Sequence, residues 1–274
     1  MDELSILEQA EKNQEKYLSL FMERMKLVAV YFLDSVSEVI DKLKMTPDSK
    51  MSDWKTVTRY RLNLRSALQS AGYDSAVRDL INGMSEVTLL IEGYYEPYGM
   101  AKHSSFFKSA GQQAIDRISA QLLDAVPEMG FIEPISQALE NAVMQGQSLT
   151  DLKRQVREII HTSELPANYV FNQAKQALWM FHRNYSGSIG TALGLDHFYY
   201  DGVALKHSRG FCLARKGKAF KKEDIEKWAM EEWQGKIPGT TKESIFWLCG
   251  GYNCIDVLRP ITKELYDRFN KPNQ

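Results

Sequence analysis

Four residues in the last third of the chain have types and spacing suited to metal or thiol chemistry. His207 and Cys212 are separated by four residues, and so are Cys249 and Cys254. Two pairs of soft or borderline ligands can make a tetrahedral zinc site. Gly250 and Gly251 lie inside the second pair, where a chain wrapping a small ligand must turn tightly. The spacing is wider than the two-residue zinc knuckle, so three states of the sulfurs stay open. They are thiols packed as small hydrophobes, zinc held by His207, Cys212, Cys249 and Cys254, or a disulfide formed outside the reducing cell. In each state the three cysteines are expected at one end of a sheet, stapling a domain whose own core is small.

A second constellation overlaps the first. Lys206, Arg209, Arg215, Lys216, Lys218, Lys221 and Lys222 fall in one window that holds no Asp or Glu. Such a window is either a phosphate-contacting loop for nucleic acid or a solvated hairpin. No phosphate loop, dinucleotide fingerprint, zinc-protease helix motif or nucleophile elbow is present in the sequence. His103, His161, His182 and His197 are scattered and read as surface or core residues. No catalytic or cofactor-binding residue is assigned, and the expected cofactor is none, with zinc as the exception named above.

The elements that would position these residues follow from hydrophobic periodicity. Leu7, Ala10, Tyr17, Phe21, Met25, Val28, Phe32, Val36, Ile40 and Leu43 recur near the 3.6-residue period, and Pro47 closes that helix. A second helix is expected from Ser52, carrying Trp54, Val57, Leu62, Leu64 and Leu68, with Gly72 at its end. A third, capped by Asp74 or Ser75, runs through Val77, Leu80, Met84 and Leu90. The Tyr- and Gly-rich stretch 93–99 breaks the pattern. A helix through Ile115, Ile118 and Leu122 comes next, and Pro127, Gly130 and Pro134 interrupt again. Ser148 caps another helix, and a further one spans about residues 164–188. Near Gly194 the texture changes. Residues 197–200 have β character, Asp201-Gly202 signals a hairpin, a short helix starts at Lys222, and 245–248 and 255–258 read as short strands.

The expected fold class is therefore α+β, a mainly helical N-terminal body followed by a small C-terminal α+β domain with short antiparallel strands. The domain reading is 1–140 as an unassigned helical region, 141–194 as further helix, 195–262 as the small α+β domain, and 263–274 as a tail. With 274 residues, 44% hydrophobic and 25% charged, the chain can bury a real core. A net charge of −1 gives no bulk attraction to nucleic acid or to an anionic membrane. The acidic start, Met1-Asp2-Glu3, is not the basic opening of a signal peptide. The longest apolar run, 27–33, is seven residues, against about 20 for a membrane span. The expectation is a protein made and folded in a reducing cytoplasm with no membrane partner.

The last 80 or so residues carry a recognisable order of motifs. They are Tyr199-Tyr-Asp-Gly202, His207-Ser-Arg-Gly-Phe-Cys212, Gly217-Lys218, Lys222-Glu-Asp-Ile225, Gly250-Gly-Tyr-Asn-Cys254 and Arg259-Pro-Ile261. In order and spacing this series resembles the C-terminal domain of Mu F-like minor head proteins of tailed phages, the phage head morphogenesis family. With the helical lead-in the resemblance spans roughly 140–262. The chain departs from the family pattern at Leu205, where an Asp is frequent, and at Ile255-Asp256, where Arg-His is usual. The resemblance implies a non-enzymatic, low-copy virion component in the head near the portal vertex. Its partners would be the portal and/or major capsid protein, with phage DNA contacted through phosphates during head morphogenesis and DNA packaging. The alternative is a small ribonuclease-like toxin or effector domain carried by a phage, for which His207, Arg209 and Lys218 are the residues to draft.

Overall fold

The computed structural model describes residues 5–99, 104–161, 166–202, 206 and 208–271. The chain has a helical body and a small antiparallel sheet near its C-terminal end. It divides into two compact units. One, the sheet unit, comprises Met1–Ala10, Val87–Ile115 and Gln176–Gln274; the other, the helical unit, comprises Glu11–Glu86 and Asp116–Lys175. The sheet unit thus draws on chain well before residue 194, where the texture of the sequence changes.

In the helical unit the apolar stripes are the core. Helix α1 (Ser5–Ile40) buries Leu18, Phe21, Met25, Val28, Phe32 and Val36 at intervals of three and four. After α1 the chain turns through Thr46, which caps the single turn Pro47–Ser49. Asp53 anchors that turn. Its carboxylate accepts hydrogen bonds from the Lys44 and Met45 backbone N–H groups (3.1 and 2.9 Å) and from the Ser49 hydroxyl (2.6 Å). Helix α2 (Lys50–Ser70) buries Val57, Leu64 and Leu68. Leu62, expected on that stripe, is 80% exposed, because a five-residue step from Val57 carries it well off the buried face.

Helix α3 (Tyr73–Tyr95) follows, and α4 (Ser104–Leu123) buries Ile115, Ile118 and Leu122. The interruption expected at Pro127, Gly130 and Pro134 does not break the chain out of helix. A turn, α5 (Ala125–Pro127), runs through a π-helical segment at Glu128–Ile132 into α6 (Glu133–Gln145). Pro134 falls at the junction where the π segment passes into α6. The wider π turn drives Phe131 inward, with its ring edge-on to Phe32 (5.6 Å) and Tyr73 (6.1 Å). The Ser148 hydroxyl accepts from the Asp151 N–H at 3.1 Å and so caps α7 (Leu149–His161). Helix α8 spans Pro166–Ala192.

In the sheet unit, strand β1 (His197–Asp201) lies between β2 (Ala219–Lys221) and β3 (Val257–Ile261), both antiparallel to it. The period of two along β1 divides its faces. Phe198 and Tyr200 point into a core with Phe211, Ile225, Trp228, Ile245, Leu258 and the three cysteines. On the other face lie His197 and Tyr199. They meet α12 (Lys263–Phe269), with the Tyr266 ring 4.5 Å from His197 and the Phe269 ring 4.5 Å from Tyr199. The segment read from sequence as a tail from residue 263 therefore includes a helix that covers the sheet.

Two further readings are corrected. Residues 245–248 form a helical turn, α11 (Ile245–Leu248), and not a strand. Thr241 and Ser244 exchange side-chain to backbone hydrogen bonds (2.7 and 3.2 Å), and this local capping outweighs the β propensity of Ile-Phe-Trp-Leu. The last strand begins at Val257 and extends through Arg259 and Pro260. Pro260 is admissible because β3 is at the sheet edge. Helix α8 packs against β3 so closely that a Cβ at Gly190 would lie 2.3 Å from the Pro260 Cβ.

Candidate functional site: a buried thiol and carboxylate knot

The turn between α11 and β3 brings the chemistry together. Cys249 has φ +50°, Asn253 has φ +54°, and Gly251 has φ +94°, so the chain coils back on itself within six residues. The Gly250 N–H donates to Cys254 Sγ at 3.3 Å. A Cβ at Gly250 would sit 2.4 Å from Cys212 Sγ and 2.9 Å from Cys254 Sγ, so only glycine allows the sulfurs to close over this backbone. Cys212 arrives from a separate element, the single turn α9 (Gly210–Leu213). All three cysteines are buried and none is bridged.

The ligand atoms of Cys212, Cys254 and Asp256 lie within 4.8 Å of one another. Cys254 Sγ is 3.7 Å from Asp256 Oδ2, and the buried Tyr200 hydroxyl donates to that same oxygen at 3.4 Å. The Cys212 and Cys249 thiols both donate to Cys254 Sγ, which holds Cys254 well below the usual thiol range. The two donors are pushed up, Cys212 first by that hydrogen bond and then by burial, Cys249 first by burial. Burial, and then the charge on Cys254, raises Asp256. Lys216 opposes this shift: its ammonium lies 2.7 Å from Asp256 Oδ1, with side chains 9% and 3% exposed. The cluster can therefore hold one shared negative sulfur beside one paired carboxylate.

Two arginines clamp the turn. Arg183 of α8, 4% exposed, donates Nε to the Asp256 carbonyl (2.8 Å) and Nη1 to the Trp247 carbonyl (3.0 Å), and its Nη2 reaches the Cys254 carbonyl. Arg209 donates to the carbonyls of Gly250 (3.3 Å) and Tyr252 (2.6 Å) from the other side. The Trp233 indole N–H donates to the Gly250 carbonyl at 2.9 Å. Carbonyls that the tight turn leaves without ladder partners are thus satisfied by side chains.

The basic window divides into two groups. Arg209 and Lys216 belong to the knot. Arg215 lies over the rings of Phe211 (3.8 Å) and Trp228 (4.5 Å) and pairs with Glu231 at 2.7 Å. Lys218 is exposed, but its ammonium donates to the Ala214 carbonyl at 2.8 Å. Lys206, Lys221 and Lys222 are exposed. Lys222 stands on a cavity of about 710 Å³ beside α8 that also carries Lys242, Glu226, Glu243 and Asp196, so the surface there is of mixed charge. Of the seven basic residues, Arg209, Arg215 and Lys216 thus turn to backbone carbonyls, aromatic faces and a buried carboxylate, and Lys218 reaches a carbonyl from an exposed position.

No protein-family model, curated protein or solved structure matches this chain.

His207, expected as the fourth ligand, lies outside the described residues, as does His103. His182 is fully buried and stacked on Trp179 (6.2 Å); burial first, then Arg259 and Arg183, drive its pKa well down, so it is a neutral core residue. His197 contacts Asp196 (2.6 Å) at the start of β1. Asp256 and Arg183 are the members of the site that motif spacing missed. Arg183 did leave a signal, as a lone cation in an otherwise apolar and aromatic stretch of α8.

Proposed function

We propose that this protein is a minor structural component of a tailed-phage head, bound to the portal or major capsid protein and assisting head morphogenesis. What carries the reading is the use made of the residues behind the Mu F-like resemblance. Arg209, Cys212, Gly250 and Cys254 converge on one turn and turn their polar groups inward, onto backbone carbonyls and one another. Residues spent on fixing a chain path suit a motif that specifies architecture. The helical unit supplies a docking face. Leu20, Leu27 and Tyr31 of α1 are 47%, 58% and 59% exposed and share one side of the helix at spacings of seven and four. The exposed Lys206, Lys218, Lys221 and Lys222 add weak, sequence-independent contact with packaged DNA.

Mass spectrometry of purified virions and proheads tests the reading, with the chain expected at low copy in both. The L27E/Y31E double variant, folded by circular dichroism, is expected to be missing from particles. Absence of the wild-type chain from both particles, in a phage that expresses it, overturns the proposal.

A further inference from the structure

We propose that Cys212, Cys249, Cys254 and Asp256 form a structural zinc site that closes the sheet unit. Four observations converge on it. First, ligands of the required kind are gathered from separate elements, Cys212 from α9, Cys249 and Cys254 from the turn, and Asp256 from the residue before β3. Second, the spacing is near that of a coordination shell. Tetrahedral bonds of about 2.3 Å to sulfur and about 2.0 Å to oxygen place neighbouring ligand atoms about 3.5–3.8 Å apart. Cys254 Sγ and Asp256 Oδ2 already stand at 3.7 Å, and Cys212 joins them within 4.8 Å, so closure of these three needs a shift of about one ångström at most. Cys249, buried on the same turn, stands outside that triad of ligand atoms and moves in as the fourth ligand.

Third, the outer shell of a metal site is built. Lys216 holds Asp256 Oδ1, which leaves Oδ2 toward the sulfurs, and the Tyr200 hydroxyl and the Gly250 N–H address Oδ2 and Cys254 Sγ. Fourth, the charge balances. Zinc held by three thiolates and Asp256 carries a net charge of −2, and the buried Lys216 and Arg183 beside it supply two positive charges. Zinc enters with release of the thiol protons. Nothing is oxidised or reduced in this exchange. Full burial of the cysteines marks the site as structural, since a catalytic zinc keeps a position open to solvent.

The site does not depend on the head-protein reading, and its test is separate. The full chain is expressed with zinc in the medium and purified under reducing conditions without chelator. Elemental analysis is expected to give one zinc per chain. Cobalt substitution should give the thiolate charge-transfer absorption of a tetrahedral site, and a chelator should lower Tm. C212S, C254S and D256N are expected to lose the metal, and C249S to bind it at least tenfold more weakly, whereas H207A keeps it. A wild-type chain that is folded by circular dichroism but takes up neither zinc nor cobalt overturns the proposal, whatever the serine variants do. Loss of metal in H207A with retention in D256N overturns the ligand set in favour of the imidazole.

Discussion

Lys216 and Asp256 form a buried ion pair whose members cannot be removed singly without cost. Lys216→Met leaves a carboxylate with 3% exposure facing a negative sulfur, and loss of one partner of such a pair costs about 3–5 kcal/mol. Denaturation in chelator is expected to show that loss at neutral pH, and the double variant K216M/D256N should recover part of it. The pH dependence has a definite sign. Burial, and then Cys254, raise the Asp256 pKa, so the folded state binds the proton more tightly than the unfolded chain. Stability therefore falls as pH rises through the interval between the unfolded value, about 4, and the raised folded value. The K216M deficit should shrink as pH is lowered through the same interval. A deficit independent of pH would mean that Lys216 acts through packing alone.

At the scale of elements, two positions decide how helices are held. Gly190→Ala replaces glycine in α8 by the better helix former, worth about 1 kcal/mol in an open helix. Here the new methyl would meet Pro260 of β3 at 2.3 Å, and both sides of the contact are backbone-bound and stiff. Overpacking costs about 1–3 kcal/mol, so the expected result is a net loss in Tm. Asp53 is the hinge of the α1–α2 turn. Burial opposes its charge, but the Ser49 hydroxyl and the Lys44 and Met45 N–H groups prevail and lower its pKa. Asp53→Ala removes an ionised acceptor of three hydrogen bonds, an expected loss of about 3 kcal/mol in urea denaturation. Because the folded pKa is depressed, this contribution is complete above the unfolded value of about 4 and is lost as pH falls through the folded value. Asp53→Asn should lack that acid limb.

For the whole molecule, a net charge of −1 means that the proposed DNA contact rests on local basic residues. With Arg209, Arg215 and Lys216 committed internally, the patch reduces to Lys206, Lys218, Lys221 and Lys222. Each neutralised phosphate contributes a slope of about −0.9 to log K against log salt on duplex DNA. The expected slope is therefore no steeper than about −3 to −4, and binding should be indifferent to sequence. Fluorescence anisotropy with unrelated duplexes at several salt concentrations measures it. A slope near −6 would require the three engaged cations to be released onto DNA.

Periodicity alone determined the helices of the body. Phe21, Met25, Val28, Phe32 and Val36 are buried because residues three and four apart share a helix face wherever the chain lies. The alternation at Phe198 and Tyr200, and the gathering of cysteines around a glycine turn, were legible for the same reason: period two and tight turning are local properties. Tertiary structure decided what local rules cannot reach. Residues 245–248 are β-prone yet helical, since a Thr241–Ser244 cap and a buried site for Ile245 outweigh intrinsic preference. The chain stays helical through Pro127 and Pro134, because a π turn lets Phe131 reach Phe32 and Tyr73. The partners of a charged side chain are also nonlocal. Seven basic residues in one window look alike in sequence, but Lys216 meets a carboxylate forty residues on, and Arg183 meets carbonyls more than sixty residues away. Only folding brings those groups within hydrogen-bonding distance and sets apart the cations that build the knot from those left to solvent.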